Sequence, residues 1–259
     1  MSTRRALAAY VLSGFACANL FLAASTRPSV AADAGTTTAP LKVLRHLEFY
    51  MTVGESSTTE TKVSGFDAGS ESGHATDDNG SLDAHGTITV DVVGATSDGG
   101  LAVDVSEDAA SRKSPPIRVG ILAGKLYYDP HTIVNEEERD VLLFLDRGFV
   151  KPDTLAAGTT WSDDPAGSGM TTHTTYKVKS VDDQAKTVAL DFEGSTNVTG
   201  PNGYQADTHG TMTYDTGVSV PLDFTLWRRT HVEAPGRLTT VDTKLSATLR
   251  EDSLRKPKA

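Results

Sequence analysis

The chain has one cysteine, Cys17, in 259 residues. It lies in an apolar N-terminal stretch that reads as a leader, so the exported chain has no cysteine, and disulfides, thiolate catalysis and cysteine-ligated zinc are excluded from it. Familiar catalytic motifs are missing as well. "GSESG" (69–73) puts Glu71 where a G-x-S-x-G nucleophile elbow needs serine, and no HExxH, Walker loop or GxGxxG occurs. Positive charge is scarce. The 24 Lys and Arg against 34 Asp and Glu leave −10 overall, and about −12 once the leader's Arg4, Arg5, Arg27 and Asp33 are gone. With no basic stripe on so acidic a chain, nucleic acid is excluded as a partner.

The first residues carry an address rather than a fold. Arg4 and Arg5 precede an apolar run from Ala6 to Ala24, and Ala32-Asp33-Ala34 is an A-x-A exit. This order predicts a secretory signal over residues 1–34, cleaved near Ala34, and an exported protein, periplasmic or extracellular, with no integral span after cleavage. Three other readings stay open: an uncut membrane helix, a twin-arginine signal at Thr3-Arg4-Arg5-Ala6-Leu7, and lipidation at Cys17. Against lipidation, Gly14-Phe15-Ala16 precedes the cysteine without the usual leucine. Beyond the leader the sequence predicts a flexible lead at 35–40, one antiparallel β domain over 41–251 and a disordered tail at 252–259.

Strand signals dominate that domain. Ile88, Val90 and Val92 alternate with Thr87, Thr89 and Asp91, the period of a half-buried strand. Ile117–Leu122 and Lys125–Tyr128 flank Ala123-Gly124, a hairpin signature. A single helix interrupts the strands around 136–147. Asn135 can cap it, Glu136, Glu137 and Glu138 suit its positive end, and Gly148 suits its exit. Val141 to Leu145 is apolar on every side, so that turn needs cover from protein or ligand. The predicted class is mainly β: a large curved antiparallel sheet, a half-barrel, with one buried helix against its concave face and possible duplication of two half-sheets.

The duplication rests on an internal rhyme. "DAHGTITVD" (83–91) and "DTHGTMTYD" (207–215) share D-x-H-G-T, each follows an Asn-Gly pair, and "LAVDV" (101–105) resembles "VALDF" (188–192). Asn-Gly predicts a hairpin turn before each strand. On each strand Asp, His and Thr share one face, and the glycine and apolar residues share the other.

Leu155-Ala156-Ala157-Gly158-Thr159-Thr160-Trp161 gives L-x-x-G-x-x-W, followed by Tyr176-x-Val178 and "GTMTYDTGVSVPLDFTL" (210–226). Over roughly residues 150–230 this resembles a broad group of secreted bacterial half-barrel proteins of uncharacterised function, themselves similar to the periplasmic lipoprotein-carrier (LolA-type) fold. The resemblance implies a curved sheet and helix enclosing an apolar cavity, and implies no catalytic residue.

Three candidate chemistries follow. Asp83, His85, Asp207 and His209 would suit a zinc-like ion if their strands lay side by side; otherwise they are a hydrated face. "DDNGSLD" (77–83) alternates oxygens as calcium loops do, but Leu82 and Ile88 stand where an EF-hand needs Gly and Glu. Asp129-Pro130-His131 gathers titratable groups before the helix that could do general acid–base work, but ordinary turn chemistry is the favoured explanation of them. Leu142, Phe144, Leu145, Phe149, Trp161, Tyr176, Phe224 and Trp227 are the candidates to line an apolar cavity or fill a core. The first reading is a non-enzymatic exported protein that takes a lipid, acyl chain or other apolar small molecule and needs no cofactor. The alternatives are a structural or protein-interaction module with a filled core, and a metal-dependent enzyme using the D-x-H pairs.

Overall fold

Alternation dictates the architecture. In the computed structural model, Leu47, Phe49, Met51 and Val53 are buried while Glu48, Tyr50, Thr52 and Gly54 between them are not. Residues 42–63, 73–110, 112–129, 131–146, 148–164, 166–167, 170–200 and 203–255 are described. The leader, the lead at 35–40 and residues 256–259 lie outside them.

Among the described residues thirteen strands form one antiparallel sheet. They are β1 (Arg45–Val63), β2 (Gly73–Ala95), β3 (Leu101–Ala109), β4 (Arg112–Lys113), β5 (Ile117–Leu122), β6 (Lys125–Tyr127), β7 (Thr160–Asp163), β8 (Ala166–Gly167), β9 (Met170–Asp182), β10 (Thr187–Val198), β11 (Tyr204–Asp215), β12 (Val220–Ala234) and β13 (Arg237–Asp252). The order is β6-β5-β3-β2-β1-β13-β12-β11-β10-β9-β7, with β4 on β3 and β8 on β9. Nearly every neighbour in this order is a neighbour in sequence. β3–β5 and β7–β9 skip only the two-residue strands β4 and β8; the long-range exception is β1 with β13, which joins the two halves of the chain at the middle of the sheet. Ala123 and Gly124 supply the positive φ values, 50° and 71°, of the expected β5–β6 hairpin. Asp252 ends β13 as a buried residue ion-paired with Arg45 at 2.7 Å, so the ordered domain reaches past the predicted boundary at 251.

The inner face is covered by helix α1 (Glu136–Leu143) and the chain that follows it. Asn135 precedes the helix, and the Glu138 carboxylate accepts the Asn135 N–H at 3.0 Å, one half of a capping box. The helix stops a turn short of the predicted 147. Leu145 N–H bonds back to Leu142 O, Phe149 N–H bonds to Asp146 O, and the Asp146 carboxylate takes the Gly124 N–H at 2.6 Å. These turns aim Phe149 into the sheet. Phe144 lies 5.0 Å from Phe224, 5.4 Å from Phe149 and 5.8 Å from Phe192, while Phe149 lies 5.0 Å from both Tyr176 and Tyr214. The all-round apolar turn is therefore covered by protein.

The D-x-H-G-T repeat owes its glycines to packing. Gly86 and Gly210 face inward. A Cβ on Gly210 would come within 2.3 Å of both the Phe192 ring and the Thr225 carbonyl, and one on Gly86 within 2.6 Å of Ala109. The strands holding the two copies, β2 and β11, each stand fourth from an end of the sheet. Their chain connections differ: β2 leads into β3, whereas β10 leads into β11. The first Asn-Gly makes no hairpin. β2 runs straight through it, opposite a register shift at Ser57/Thr58, with Gly80 at φ 99°. A bulge has used the same positive-φ residue that a turn would need. Of the second pair, Asn202 lies outside the described residues, and Gly203 donates its N–H to Gly200 O just before β11.

Phe149→Ala should cost about 3–5 kcal/mol as a core truncation, and Gly210→Ala about 1–3 kcal/mol or more from overpacking. Thr211→Ala, on the outer face, should stay near wild type; urea unfolding of the three variants checks the contrast.

Candidate functional site

The central strands outrun their cover. From Val53, Leu226 and Leu245 back towards helix α1 the inner face is buried core. Beyond that line it continues in register across six strands. One row is Thr172, Thr196, Ala206, Thr230, Val241 and Ser57; the next is Met170, Val198, Tyr204, Val232, Thr239 and Thr59. All but Ala206 and Thr59 are partly exposed, and none belongs to the buried core. The hydroxyls of Thr172 and Thr196, and of Thr59 and Thr239, bond across strands at 3.2 and 3.1 Å. What remains is a trough of Val, Met, Tyr and Thr side chains, about 24 Å wide at the usual strand spacing.

Charge separates trough from core. Arg228 points inward from β12 and holds Asp140 of α1 with two 2.9 Å bonds and Glu136 with one at 2.8 Å. Burial alone would push Arg228 down, but the Asp140 and Glu136 carboxylates outweigh it and hold the guanidinium above its ordinary range. On the other flank Arg112 bridges Glu107 at 2.6 Å and Glu137 at 2.9 Å. Fully buried Glu138 accepts the Ser114 hydroxyl at 2.8 Å, and Asn135 donates to Glu107. The acidic first turn of α1 is thus pinned to strands on both sides. Burial raises the Glu107 carboxyl above its ordinary value against the opposing pull of Arg112. Burial also raises Glu55, with Glu137 and Glu136 adding to the effect.

Leu142, Phe144, Leu145, Phe149, Trp161, Tyr176 and Phe224 all lie in the buried core. They pack on one another. A cleft of about 100 Å³ between α1 and strands β9–β12 is lined by Phe144 and Tyr176 of this set together with Asp140, Arg228 and the trough residues Thr172, Thr196 and Tyr204; it is smaller than the ~300–1,000 Å³ of typical small-molecule sites. The Trp161 indole N–H is buried without a hydrogen-bond partner among the described residues. Trp227 corrects the prediction. It stands three residues from Phe224 on an unbroken stretch of β12, so it faces outward, where it stacks on His209 at 5.4 Å with Lys244 over its ring.

The D-x-H pairs need a correction too. Asp83, His85, Asp207 and His209 are exposed on the outer face, as the alternation requires, but β2 and β11 stand four places apart in the sheet. At the usual spacing that is roughly 19 Å, too far for one ion. Asp207 instead lines a polar pocket of about 420 Å³ with Asp164, His173, Ser195 and Asn197 among its walls. Asp129 closes a turn by accepting the His131 N–H. In the calcium-like stretch, residues 77–80 fall within β2 rather than in a loop.

No family model matches the chain, and no curated protein does. Among solved structures it is similar to one concerned with lipid-protein interactions in lipovitellin, with a TM-score of 0.43 and 10% identity, over 85% of this chain and 26% of that one. The chain thus spans about a quarter of that neighbour's length, a likeness too slight to carry an inference. Among the described residues no helix is long and apolar enough to cross a membrane.

Asp140→Ala leaves Arg228 buried without its bidentate partner and should cost about 3–5 kcal/mol in urea unfolding, whereas Asp242→Ala, which breaks the exposed pair with Arg229, should change little. The raised carboxyls set a pH dependence. Folded Glu55 and Glu107 hold protons more tightly than the unfolded chain does. The stability they contribute is therefore full below about pH 4.3 and is lost as pH climbs through their raised folded values. Glu55→Gln should lose less stability than wild type between pH 4 and pH 7.

Proposed function

We propose that the protein is an exported, non-enzymatic binding protein that lays an elongated apolar ligand, an acyl chain or lipid, along the trough beyond helix α1. The supporting observation is the two rows of partly exposed Val, Met, Tyr and Thr side chains that continue the core face past the Arg228–Asp140 pair. Strands of 12 to 19 residues build this part of the sheet, more than the core under the helix uses. Covering 200 Å² of apolar ligand and trough surface would contribute about 5 kcal/mol before ordering costs. The site lies beside, not within, the aromatic cluster that the sequence marked out, because those rings fill one another's space.

That same filling supports a second reading, a structural or protein-interaction module. Native mass spectrometry of the mature chain, residues 35–259, purified from an exporting host separates the two. The lipid reading expects an added mass of a few hundred daltons and uptake of a fluorescent fatty acid. Val232→Glu and Val241→Glu should cut that uptake at least tenfold with little change in unfolding midpoint, whereas Leu142→Ala should weaken folding itself. No added mass and no fatty-acid uptake would leave the module.

A further inference from the structure

The outer face carries a constellation unrelated to the trough. His46 and Glu48 flank Leu47 on β1, so both side chains point away from the core. Glu251 of β13 stands directly opposite Glu48, and Asp91 of β2 directly opposite His46. One ligand atom from each of His46, Glu48 and Glu251 lies within 4.8 Å of the other two. Carboxylates facing each other across a ladder repel, yet among the described residues neither glutamate forms an ion pair with Lys or Arg. The nearest arginine in sequence does not help. Arg250 is the extra residue of the bulge at Glu48/Phe49, and its guanidinium lies over the Tyr50 ring at 5.1 Å.

The histidine is already oriented. Asp91 Oδ1 lies 2.7 Å from His46 Nδ1. In the neutral ring this bond places the proton on Nδ1 and leaves the lone pair on Nε2, the arrangement by which a carboxylate sets a histidine for metal ligation. We propose that His46, Glu48 and Glu251 form a divalent-cation site with Asp91 as positioning residue. One imidazole and two carboxylates suit zinc, with a further position left for water. The ligands come from the first and last strands and Asp91 from the third of this central trio, so a bound ion would cross-link the one strand pairing that joins the two halves of the chain.

The test is calorimetric titration of the untagged, chelator-treated protein with zinc chloride, with thermal unfolding followed alongside. The site predicts one zinc per chain and an unfolding midpoint that rises with zinc. His46→Ala and the double variant Glu48→Gln/Glu251→Gln should remove both effects, and Asp91→Asn should weaken zinc binding about 10- to 100-fold. Without zinc the Glu48→Gln/Glu251→Gln variant should unfold no earlier than wild type, because it removes a repulsion. His85→Ala/His209→Ala should bind zinc as wild type does. Wild-type binding no tighter than that of His46→Ala, or binding that survives in Glu48→Gln/Glu251→Gln, would overturn the proposal, as would binding abolished by His85→Ala/His209→Ala.

Discussion

The molecule is organised by a shortage of cover. A sheet of this size exposes a whole inner face that must be buried against something, and among the described residues helix α1 and the segments on either side of it, with Val134 before it and Phe149, Val150 and Leu155 after it, pack against that core. Their few side chains cover what they can. Val141, Leu142, Phe144, Leu145 and Phe149 reach the sheet from above, and Trp161, Tyr176, Phe192, Tyr214 and Phe224 rise to meet them. Beyond that footprint the strands have no counterpart among the described residues, and their composition changes accordingly. Phe and Leu give way mainly to Thr and Val, residues that hold a strand by β-branching while tolerating water.

At the boundary, buried charge does what apolar packing cannot. A helix whose first turn carries three glutamates cannot slide into a dry interior, and it cannot leave while Arg228 and Arg112 hold it. The buried Arg228–Asp140 pair adds little net stability compared with an apolar replacement, and the Arg112 pair, whose guanidinium is exposed, adds little as a surface pair. Their effect is on position: two guanidiniums on strands at either side of α1 fix where core ends and trough begins. Asn135, Ser114 and Glu107 complete the arrangement by satisfying donors and acceptors that would otherwise be buried unpaired.

The sequence made local features legible and left non-local ones hidden. Period-two alternation announced the strands, because which face a residue takes depends only on its neighbours in the chain. The same rule already placed Trp227 opposite Phe224; weighing ring size over parity assigned it to the wrong face. Asn79-Gly80 misled for a different reason, since a bulge and a hairpin both call for a positive φ, and only the pairing opposite Ser57 and Thr58 distinguishes them. The separation of the D-x-H pairs was beyond reach altogether. It depends on β1, β13 and β12 standing between β2 and β11, and that order is set by the return of the chain's last strand to its first.

That return also explains why the sites of interest were not the ones the motifs suggested. A repeated pair such as D-x-H draws the eye because its Asp and His stand two residues apart and the pattern appears twice, but spacing along a strand specifies a face and not a meeting. Convergence in this fold happens across strands, between residues distant in sequence: Arg228 with Asp140, Arg45 with Asp252, and His46 with Asp91 and the two glutamates. In each case one partner is an unremarkable surface-type residue in its own segment, and its chemistry appears only when the fold sets it beside the other. The glycines of the repeat make the same point from the inner face, where Gly210 has no side chain because Phe192 needs the room. Function in so large a sheet is therefore to be sought along its rows rather than along its strands.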